Sequence, residues 1–248
     1  MPPEITVFYA AFNEEAALRT TIERSVEALR ELFKSFEILL IDDCSRDRTG
    51  LIADELARQY PEVLVMHNSR NLGQGETGWM ALQAAKGDMI IGNAIDYPFD
   101  LRDLGLMLPL LKNADIVVAT RRERAGYSAY RTLLSVMNVW LLNFLFPLGL
   151  NDYNFIQLYR RTVLERVKVK ARSTGFIGPE ILIRAHDQGF RIRSVEVEYH
   201  ARTSGTATSG KLKVVLASLR DMFSFWLERT FHRHGDSGPK PDIEEPHI

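Results

Sequence analysis

Two adjacent carboxylates, Asp42 and Asp43, end a run of apolar residues that has the length of a β-strand. The run, residues 38–41, is followed by a turn of Ser, Arg, Asp and Thr, and then by a segment with helical apolar spacing. This order predicts a strand, an acidic turn and a helix. Parallel α/β sheets place their ligand sites at such strand ends. Because a carboxylate there can accept hydrogen bonds from a base or a ribose, the turn is a candidate nucleotide site.

The first 120 residues alternate between strand and helix patterns. The predicted strands are 5–9, 36–41, 63–67, 89–94 and 116–120, and the predicted helices are 13–32, 48–60, 75–85 and 101–111. Alternation of this kind predicts a mostly parallel sheet with helices on both faces. We therefore expect an α/β fold in which the strand ends bring their polar turns to one edge.

The pattern changes after residue 120. The predicted elements there are a basic loop at 121–124, apolar helices from 133, a strand at 154–159, a helix at 179–188, a strand at 191–199, a Ser/Thr/Gly loop at 203–210 and an amphipathic helix at 211–231. The last residues are polar and contain Pro and Gly, which is typical of disorder. The expected organisation is one domain over 1–210, a C-terminal amphipathic helix over 211–231 and a disordered tail over 232–248.

Composition limits the classes of protein that fit. The chain has 248 residues, of which 46% are hydrophobic and 25% charged, and this suits one large globular domain. Its formal net charge of −1 gives no sign of general nucleic-acid binding. The single cysteine, Cys44, excludes an internal disulfide and fits a reducing compartment. The first residues lack the features of a secretory signal, so a cytoplasmic location is expected.

The most apolar stretch is residues 133–150. Asn138, Asn143 and Pro147 interrupt it, and it is short for a bilayer crossing. Two interpretations are equally favoured at this point. One is a buried helix pair, and the other is an interfacial helix that lies on lipid.

Four motifs occur in order along the first half. Residues 10–15 read A-A-F-N-E-E, residues 41–49 read I-D-D-C-S-R-D-R-T, residues 70–73 read R-N-L-G, and residues 86–88 read K-G-D. The ordered set resembles P-x-Y-N-E-E, V-D-D-x-S-x-D-x-T, R-N-x-G and x-G-D of the family 2 glycosyltransferases of GT-A fold. Within that family the chain resembles the polyprenyl-phosphate sugar transferases of the dolichol-phosphate-mannose synthase type.

The resemblance implies a binding site for the nucleotide of an activated sugar. In it, Glu14 and Asp43 contact the base or the ribose. The other residues taken to contact the donor, from the same motifs or from the end of the fifth strand, are Ala10, Phe12, Asn71, Gly73 and Arg121.

A departure from the family pattern lies after the fourth predicted strand. The family carries D-x-D there, one acid for the nucleotide and one for a divalent metal. Asp96 matches the second acid, but Ala94 stands in place of the first. A shifted register, which would match Asn93 to the first acid, is less favoured because it needs a gap. The resemblance thus implies Mg²⁺ or Mn²⁺ on Asp96, with Asp100 and Asp103 more typical of charges at a helix start.

Arginines mark the acceptor side. Arg131 and Ser135 resemble R-x-x-x-S of the polyprenyl-phosphate subfamily, residues 152–161 resemble its D-x-x-x-G-F-R-x-Y-R-R, and Arg202 resembles the first residue of its late R-x-x-G loop. A guanidinium group matches two phosphate oxygens and keeps its proton. Arg121, Arg131 and Arg202 are therefore the candidates for the phosphates of donor and acceptor.

The sequence thus predicts an inverting hexosyltransferase that moves a sugar from a nucleotide-diphosphate sugar to a polyprenyl-phosphate-type lipid. Asp96, Arg131 and Arg202 are the expected catalytic residues. The resemblance implies that Glu180, at a helix start, points into the acceptor end. An anionic lipid phosphate needs no general base, and none stands out.

Two alternatives stay open. One is a transferase to a soluble or protein acceptor, with the apolar helices in the core or at a dimer surface. The other is a non-catalytic nucleotide-sugar-binding protein, because the D-x-D is incomplete. A peripheral position at the inner membrane face and a homodimer are further expectations.

Overall fold

Seven strands form one sheet in the computed structural model, which describes residues 1–122, 129–199 and 212–232. The strands are β1 (Ile5–Ala11), β2 (Phe36–Asp42), β3 (Val63–His67), β4 (Met89–Gly92), β5 (Ile116–Arg121), β6 (Ile156–Arg160) and β7 (Ile192–Val197). Their order is β3-β2-β1-β4-β6-β5-β7, and β6 alone runs antiparallel to its neighbours. The carboxyl ends of the other six strands therefore meet at one edge of the sheet, which we call the carboxyl edge.

Helices cover both faces of the sheet. Those of the described residues are α1 (Leu18–Leu32), α2 (Thr49–Gln59), α3 (Gln74–Ala84), α4 (Leu104–Met107), α5 (Ala129–Leu145), α6 (Arg161–Arg166), α7 (Ile177–Asp187) and α8 (Leu212–His232). One core cluster joins the sheet to α1, α2 and α4, and a second joins it to α3, α5, α6, α7 and α8. All seven residues of β2 are buried, as is typical of a parallel strand covered on both sides.

The strand register places three motif-bearing ends side by side. β1 lies between β2 and β4, with Ala11 opposite Asp42 and Phe8 opposite Gly92. This confirms the prediction that the first two acidic strand ends are adjacent. The predicted α/β fold with a mostly parallel sheet is confirmed as well.

Three predicted boundaries are wrong for physical reasons. α1 begins at Leu18 and not at 13, because Asn13 has φ +57°, which a right-handed helix cannot contain. β4 ends at Gly92 and not at 94, because Ala94 already belongs to a turn, in which its carbonyl oxygen accepts from the N–H of Tyr97 at 2.9 Å. The single helix predicted over 101–111 is α4 between two 3₁₀ turns, Leu101–Asp103 and Leu108–Lys112, and Pro109 in the second turn lacks the N–H that a continuous helix needs.

The apolar stretch does not form the pair of buried helices that one interpretation predicted. Residues 133–145 belong to one helix, α5, which begins four residues before 133 and contains Leu142 as its buried residue. The buried helix pair is therefore wrong. The loop predicted at 203–210 and the tail predicted from 232 fall outside the described residues, except that His232 ends α8.

Candidate active site

Among the residues that the structure describes, three that are not glycine adopt left-handed backbone conformations, and all three lie at the carboxyl edge. Asn13 (φ +57°) follows β1, Cys44 (φ +60°) follows β2 and Tyr97 (φ +50°) follows β4. Such conformations are costly and cluster at functional sites, where surrounding contacts hold them. The turns after these three adjacent strands are therefore the candidate site.

The turns after β1 and β2 are bound to each other by their motif residues. Three side chains after β2 accept hydrogen bonds from consecutive N–H groups after β1: Ser45 Oγ from Asn13 (3.0 Å), Thr49 Oγ1 from Glu14 (2.8 Å) and Asp47 Oδ2 from Glu15 (3.2 Å). In return, the N–H of Arg46 donates to Asn13 Oδ1 at 2.8 Å. This network fixes the backbone of the half-buried Glu14 relative to the end of β2.

Asp47 stays ionised in this network. Burial raises the pKa of the Asp47 carboxyl, but hydrogen bonds from the Thr49 hydroxyl and from the N–H groups of Thr49 and Glu15 outweigh burial and lower it. Asp47 Oδ1 accepts from the N–H of Thr49, the first residue of α2, at 2.9 Å.

The Asp43 carboxylate organises the next turn. It is buried, and it accepts hydrogen bonds from Asn68 Nδ2 (2.7 Å), Leu72 N (2.8 Å) and Gly73 N (2.8 Å). Asn71 Nδ2 donates to the backbone carbonyl of Asp43 at 3.1 Å. The structure thus brings together three predicted donor-site residues, Asp43, Asn71 and Gly73. We call residues 70–73, which include Asn71 and Gly73, the donor turn.

Asp42 has a different partner. Its Oδ2 lies 3.1 Å from His67 Nδ1, and His67 Nε2 lies 3.1 Å from Asp54 Oδ1. The bond to Asp42 raises the pKa of His67; partial burial acts against this, and Asp54 adds to it. The imidazole therefore connects the ends of β2 and β3 to α2.

The turn after β4 carries Asp96. Asn93 shapes this turn, because its Nδ2 donates to Phe99 O (2.9 Å) and its Oδ1 accepts from Ala94 N (3.0 Å). From α1, Thr21 Oγ1 donates to Ile95 O at 2.6 Å. The amide of Asn93 is thus bonded within the turn that leads to Asp96.

The residues present fit a divalent metal only in part. The half-buried carboxylate of Asp96 is a suitable oxygen donor for a hard cation. Ala94 supplies no ligand, and Asp100 caps a 3₁₀ turn and pairs with Arg24 at 2.5 Å. Within the part of the chain that the structure describes, no group of three or more His, Cys, Asp or Glu side chains could hold a metal ion. Protein side chains alone therefore offer a weak site.

Ala10 and Phe12 lie on either side of the end of β1. Ala10 pairs with Ile41 and is half-buried, whereas the side chain of Phe12 is 42% exposed. An exposed aromatic ring beside the turn of Asn13 is available to a ligand.

Arg121 occupies a different environment from the phosphate ligand that the sequence predicts. Its side chain is 8% exposed, and its Nε donates to Asp152 Oδ2 at 2.7 Å. The guanidinium group also lies over the rings of Phe155 (5.1 Å) and Tyr199 (5.8 Å). These contacts join the end of β5 to the segment that leads into β6 and to Tyr199, two residues after the end of β7.

The other predicted acceptor residues are only partly brought together. Arg131 and Ser135 lie one turn apart on α5 and are both half-buried. Glu180 is buried, and its carboxylate accepts from the N–H groups of Lys170 (3.1 Å) and Ala171 (2.6 Å) and from Arg184 Nε (2.7 Å). Arg202 lies outside the described residues.

Two helices expose apolar side chains on the same side of the sheet. On α5 these are Tyr130, Leu133, Val136, Met137, Trp140 and Phe144, and on α8 they are Leu212, Leu216, Phe223, Leu227 and Phe231. The α5 set recurs every three or four residues and so forms one face, opposite the buried Leu142. α5 leads into Phe146, whose ring lies 5.5 Å from that of Phe225 on α8. We call the two sets the α5 face and the α8 face.

Sequence reasoning missed several residues that build the site. His67 ends the short edge strand β3 and Asn68 follows it. Neither belongs to a motif that we recognised, although a polar pair at a strand end is a usable signal. Gly75 begins a predicted helix but belongs to none of the four motifs. A Cβ on Gly75 would lie 2.4 Å from the carbonyl oxygen of Arg172, so only glycine fits this contact.

Comparisons with known proteins agree with this geometry. The family model described as glycosyl transferase family 2 matches residues 6–168. Over 243 residues the chain is 26% identical to dodecaprenyl-phosphate galacturonate synthase of Rhizobium johnstonii, covering 95% of this chain and 71% of the relative. Over 214 residues it is 24% identical to undecaprenyl-phosphate 4-deoxy-4-formamido-L-arabinose transferase of Proteus mirabilis, covering 86% and 64%. The chain thus spans about two thirds of the length of these relatives.

Solved structures show the same fold. Glucosyl-3-phosphoglycerate synthase from Mycobacterium tuberculosis, in complex with Mn²⁺, uridine diphosphate and phosphoglyceric acid, superposes with a TM-score of 0.68 at 22% identity, covering 92% of this chain and 78% of that one. The fold is that of the GT-A glycosyltransferases. Since the family model matches more than half of its length, the chain belongs to glycosyl transferase family 2.

Proposed function

We propose that this chain transfers a sugar from a nucleotide-diphosphate sugar to the phosphate of a polyprenyl-type lipid. The observation that carries the proposal is the pair of hydrogen-bonded turns at the carboxyl ends of β1 and β2, beside the end of β4, in a chain of the glycosyltransferase family 2. The two curated relatives are named for transfer to dodecaprenyl and undecaprenyl phosphates, which supports the lipid acceptor. The soluble-acceptor and non-catalytic alternatives gain no comparable support.

The donor nucleotide is assigned to the carboxyl edge. Glu14 and the exposed ring of Phe12 follow β1, and the donor turn is held by Asp43. Since three of the four or so acceptor positions of the Asp43 carboxylate already bind protein N–H groups, Asp43 acts mainly by fixing the donor turn. Glu14 is then the carboxylate assigned to the base or ribose.

The chemical step needs little from the protein beyond position and charge. An oxygen of the acceptor phosphate forms a bond to the anomeric carbon from the face opposite the diphosphate. The bond from that carbon to the diphosphate oxygen breaks, and the nucleoside diphosphate leaves with the electron pair. The phosphate nucleophile is already anionic, so no general base is required. We assign Arg131 to the acceptor phosphate, and Arg202 keeps the same assignment from its motif.

Asp96 is the assigned metal ligand. A hard divalent cation, Mg²⁺ or Mn²⁺, would be held by this carboxylate together with diphosphate oxygens and water. When bound, such a cation supplies positive charge that stabilises the leaving diphosphate. The Mn²⁺ in the structurally similar synthase supports the class of metal.

The α5 and α8 faces support a peripheral position at a lipid surface. Trp140 and Phe144 are 65% and 71% exposed, and their rings stack with centroids 5.5 Å apart. Among the described helices, none combines the length and the apolar character that a bilayer crossing requires. Exposed apolar faces on amphipathic helices suit burial at the level of the lipid headgroups, beside the tail of the acceptor.

A product assay tests the proposal. The purified chain is incubated with labelled UDP- and GDP-sugars and polyprenyl phosphate in lipid vesicles, and extracted lipids are analysed for a lipid-linked sugar. Asp96→Asn should abolish the product, while Asp88→Asn, an exposed acid at the opposite end of β4, should leave it unchanged. Absence of lipid-linked product with every donor, or equal activity of the two variants, would contradict the proposal.

A further inference from the structure

The segment 169–174, which lies between α6 and α7, is fixed through its backbone by two carboxylates. Glu180 on α7 accepts from the N–H groups of Lys170 and Ala171. Asp221 on α8 accepts with one oxygen, Oδ2, from the N–H groups of Arg172 (3.2 Å) and Ser173 (3.0 Å). Four consecutive N–H groups are thus bound by side chains, so the segment cannot shift independently of α7 and α8.

The other side of this segment meets the first turn of α3. A Cβ placed on Gly75 would lie 2.4 Å from Arg172 O and 2.8 Å from Thr174 N. Both are backbone atoms, which cannot move aside as a flexible side chain can. The segment therefore sets where α3 begins.

α3 begins directly after the donor turn. Leu72 and Gly73, whose N–H groups donate to Asp43, precede Gln74, the first residue of α3. A displacement of the first turn of α3 would consequently pull these two N–H groups from the Asp43 carboxylate. Continuous contacts thus lead from Asp221, through the segment and Gly75, to the donor turn.

We infer that Asp221 is a positioning residue for donor binding, which makes α8 part of the support of the donor site. The inference rests on the proposed donor site at the carboxyl edge. α8 has other contacts that dock it, including Met222 and Phe225 in the core and the Arg229–Asp187 ion pair with two 2.7 Å hydrogen bonds. Glu228 on α8 also bonds the segment, but only through the side chain of Lys170. Asp221 is distinct because its Oδ2 accepts from two backbone N–H groups of the segment, at the residues that touch α3.

The charge of Asp221 suits this role. Burial raises the pKa of its carboxyl, but the hydrogen bonds from Ser173 and Arg172 outweigh burial and lower it, so the group remains ionised at neutral pH. A lipid surface that binds the α8 face would thus contact the same helix that carries Asp221.

The test compares Asp221→Ala with Asp187→Ala, a matched variant that removes an acid of α7 paired with Arg229 on α8. UDP and GDP binding is measured by calorimetry on the full chain, with thermal unfolding in parallel. Both variants should lower the unfolding temperature, but only Asp221→Ala should weaken nucleotide binding, by about tenfold. In the transfer assay its donor KM should rise by a similar factor while kcat changes less than about twofold.

Two further variants test the same contact by their nucleotide affinity. Asp221→Asn, which retains one acceptor oxygen, should recover most of the affinity. Gly75→Ala should weaken nucleotide binding from the other side of the contact. Equal nucleotide affinity of Asp221→Ala and Asp187→Ala would overturn the inference while leaving the proposed function intact. A wild-type chain that binds neither nucleotide would overturn both.

Discussion

The two halves of the carboxyl edge are built in different ways. The turns after β1, β2 and β4 are held by many hydrogen bonds between side chains and backbone groups, and each turn contains one left-handed residue. The half around β5, β6 and β7 instead contains the buried Arg121–Asp152 ion pair, and α5 and α8 expose apolar faces. A rigid polar side suits a nucleotide of fixed shape, whereas an apolar surface suits a long lipid.

The largest expected effect comes from the buried ion pair. Asp152→Ala should lower the free energy of unfolding by about 3–5 kcal/mol, because it leaves the Arg121 guanidinium buried without its partner. The measurement is urea denaturation. The double variant Arg121→Met/Asp152→Leu should recover much of the loss, since it removes both charges. A single-variant loss below about 1 kcal/mol would show that this pair behaves like a surface pair.

Loss of the Asp43 carboxylate should be the next largest effect. Asp43→Ala leaves three donors, on Asn68, Leu72 and Gly73, without their charged acceptor. We expect the free energy of unfolding to fall by about 3 kcal/mol. The control is Asp88→Ala at the opposite end of the sheet, with an expected change within about 0.5 kcal/mol. Similar losses in the two variants would mean that the donor turn does not depend on Asp43.

The α5 face should govern binding to lipid vesicles. Trp140→Ala removes a large exposed aromatic side chain and should weaken partitioning to vesicles about tenfold, as expected from the loss of its buried apolar area. Leu106→Ala, an exposed apolar residue in α4 on the opposite face of the sheet, is the matched control and should have no effect. Flotation of protein with vesicles provides the measurement. Equal loss in both variants would remove the distinction between the two halves.

The smallest effect concerns pH. The folded-state pKa of His67 is raised, chiefly by Asp42, so the histidine stabilises the fold fully below its unfolded pKa of about 6.5. This contribution is lost as pH rises through the folded-state pKa. His67→Gln should therefore destabilise the protein more near pH 6 than near pH ~8.5. Urea denaturation at the two pH values checks this, and a pH-independent difference would contradict it.

Local chemistry explains which features were predictable from the sequence. The motif at 41–49 combines an apolar strand with capping residues, and the structure shows Thr49 and Asp47 bonded to the adjacent turn. The adjacency of β1 and β2 was predictable because parallel strands joined by a helix usually lie side by side. The start of α1 was predicted wrongly because Asn13 is left-handed. Its N–H donates to Ser45 Oγ in the turn after β2, and this contact between two turns is not visible in the local sequence.

Tertiary contacts explain what the sequence could not reveal. Arg121 has the residue type of a phosphate ligand, and only the fold shows that Asp152 is its partner. The role of Gly75 depends on a backbone segment nearly 100 residues away in sequence. An exposed apolar face cannot be distinguished from a buried one by periodicity alone, which is why α5 had two interpretations until its exposure was known.

The central claim is that a nucleotide binds where the turns after β1, β2 and β4 meet. Hydrogen–deuterium exchange with and without saturating UDP or GDP tests it most directly. The account predicts slower exchange at residues 11–15, 43–49, 68–73 and 93–97, with no change at residues 86–89 on the opposite edge. Protection that appears on that opposite edge instead, or no protection with either nucleotide, would contradict the account.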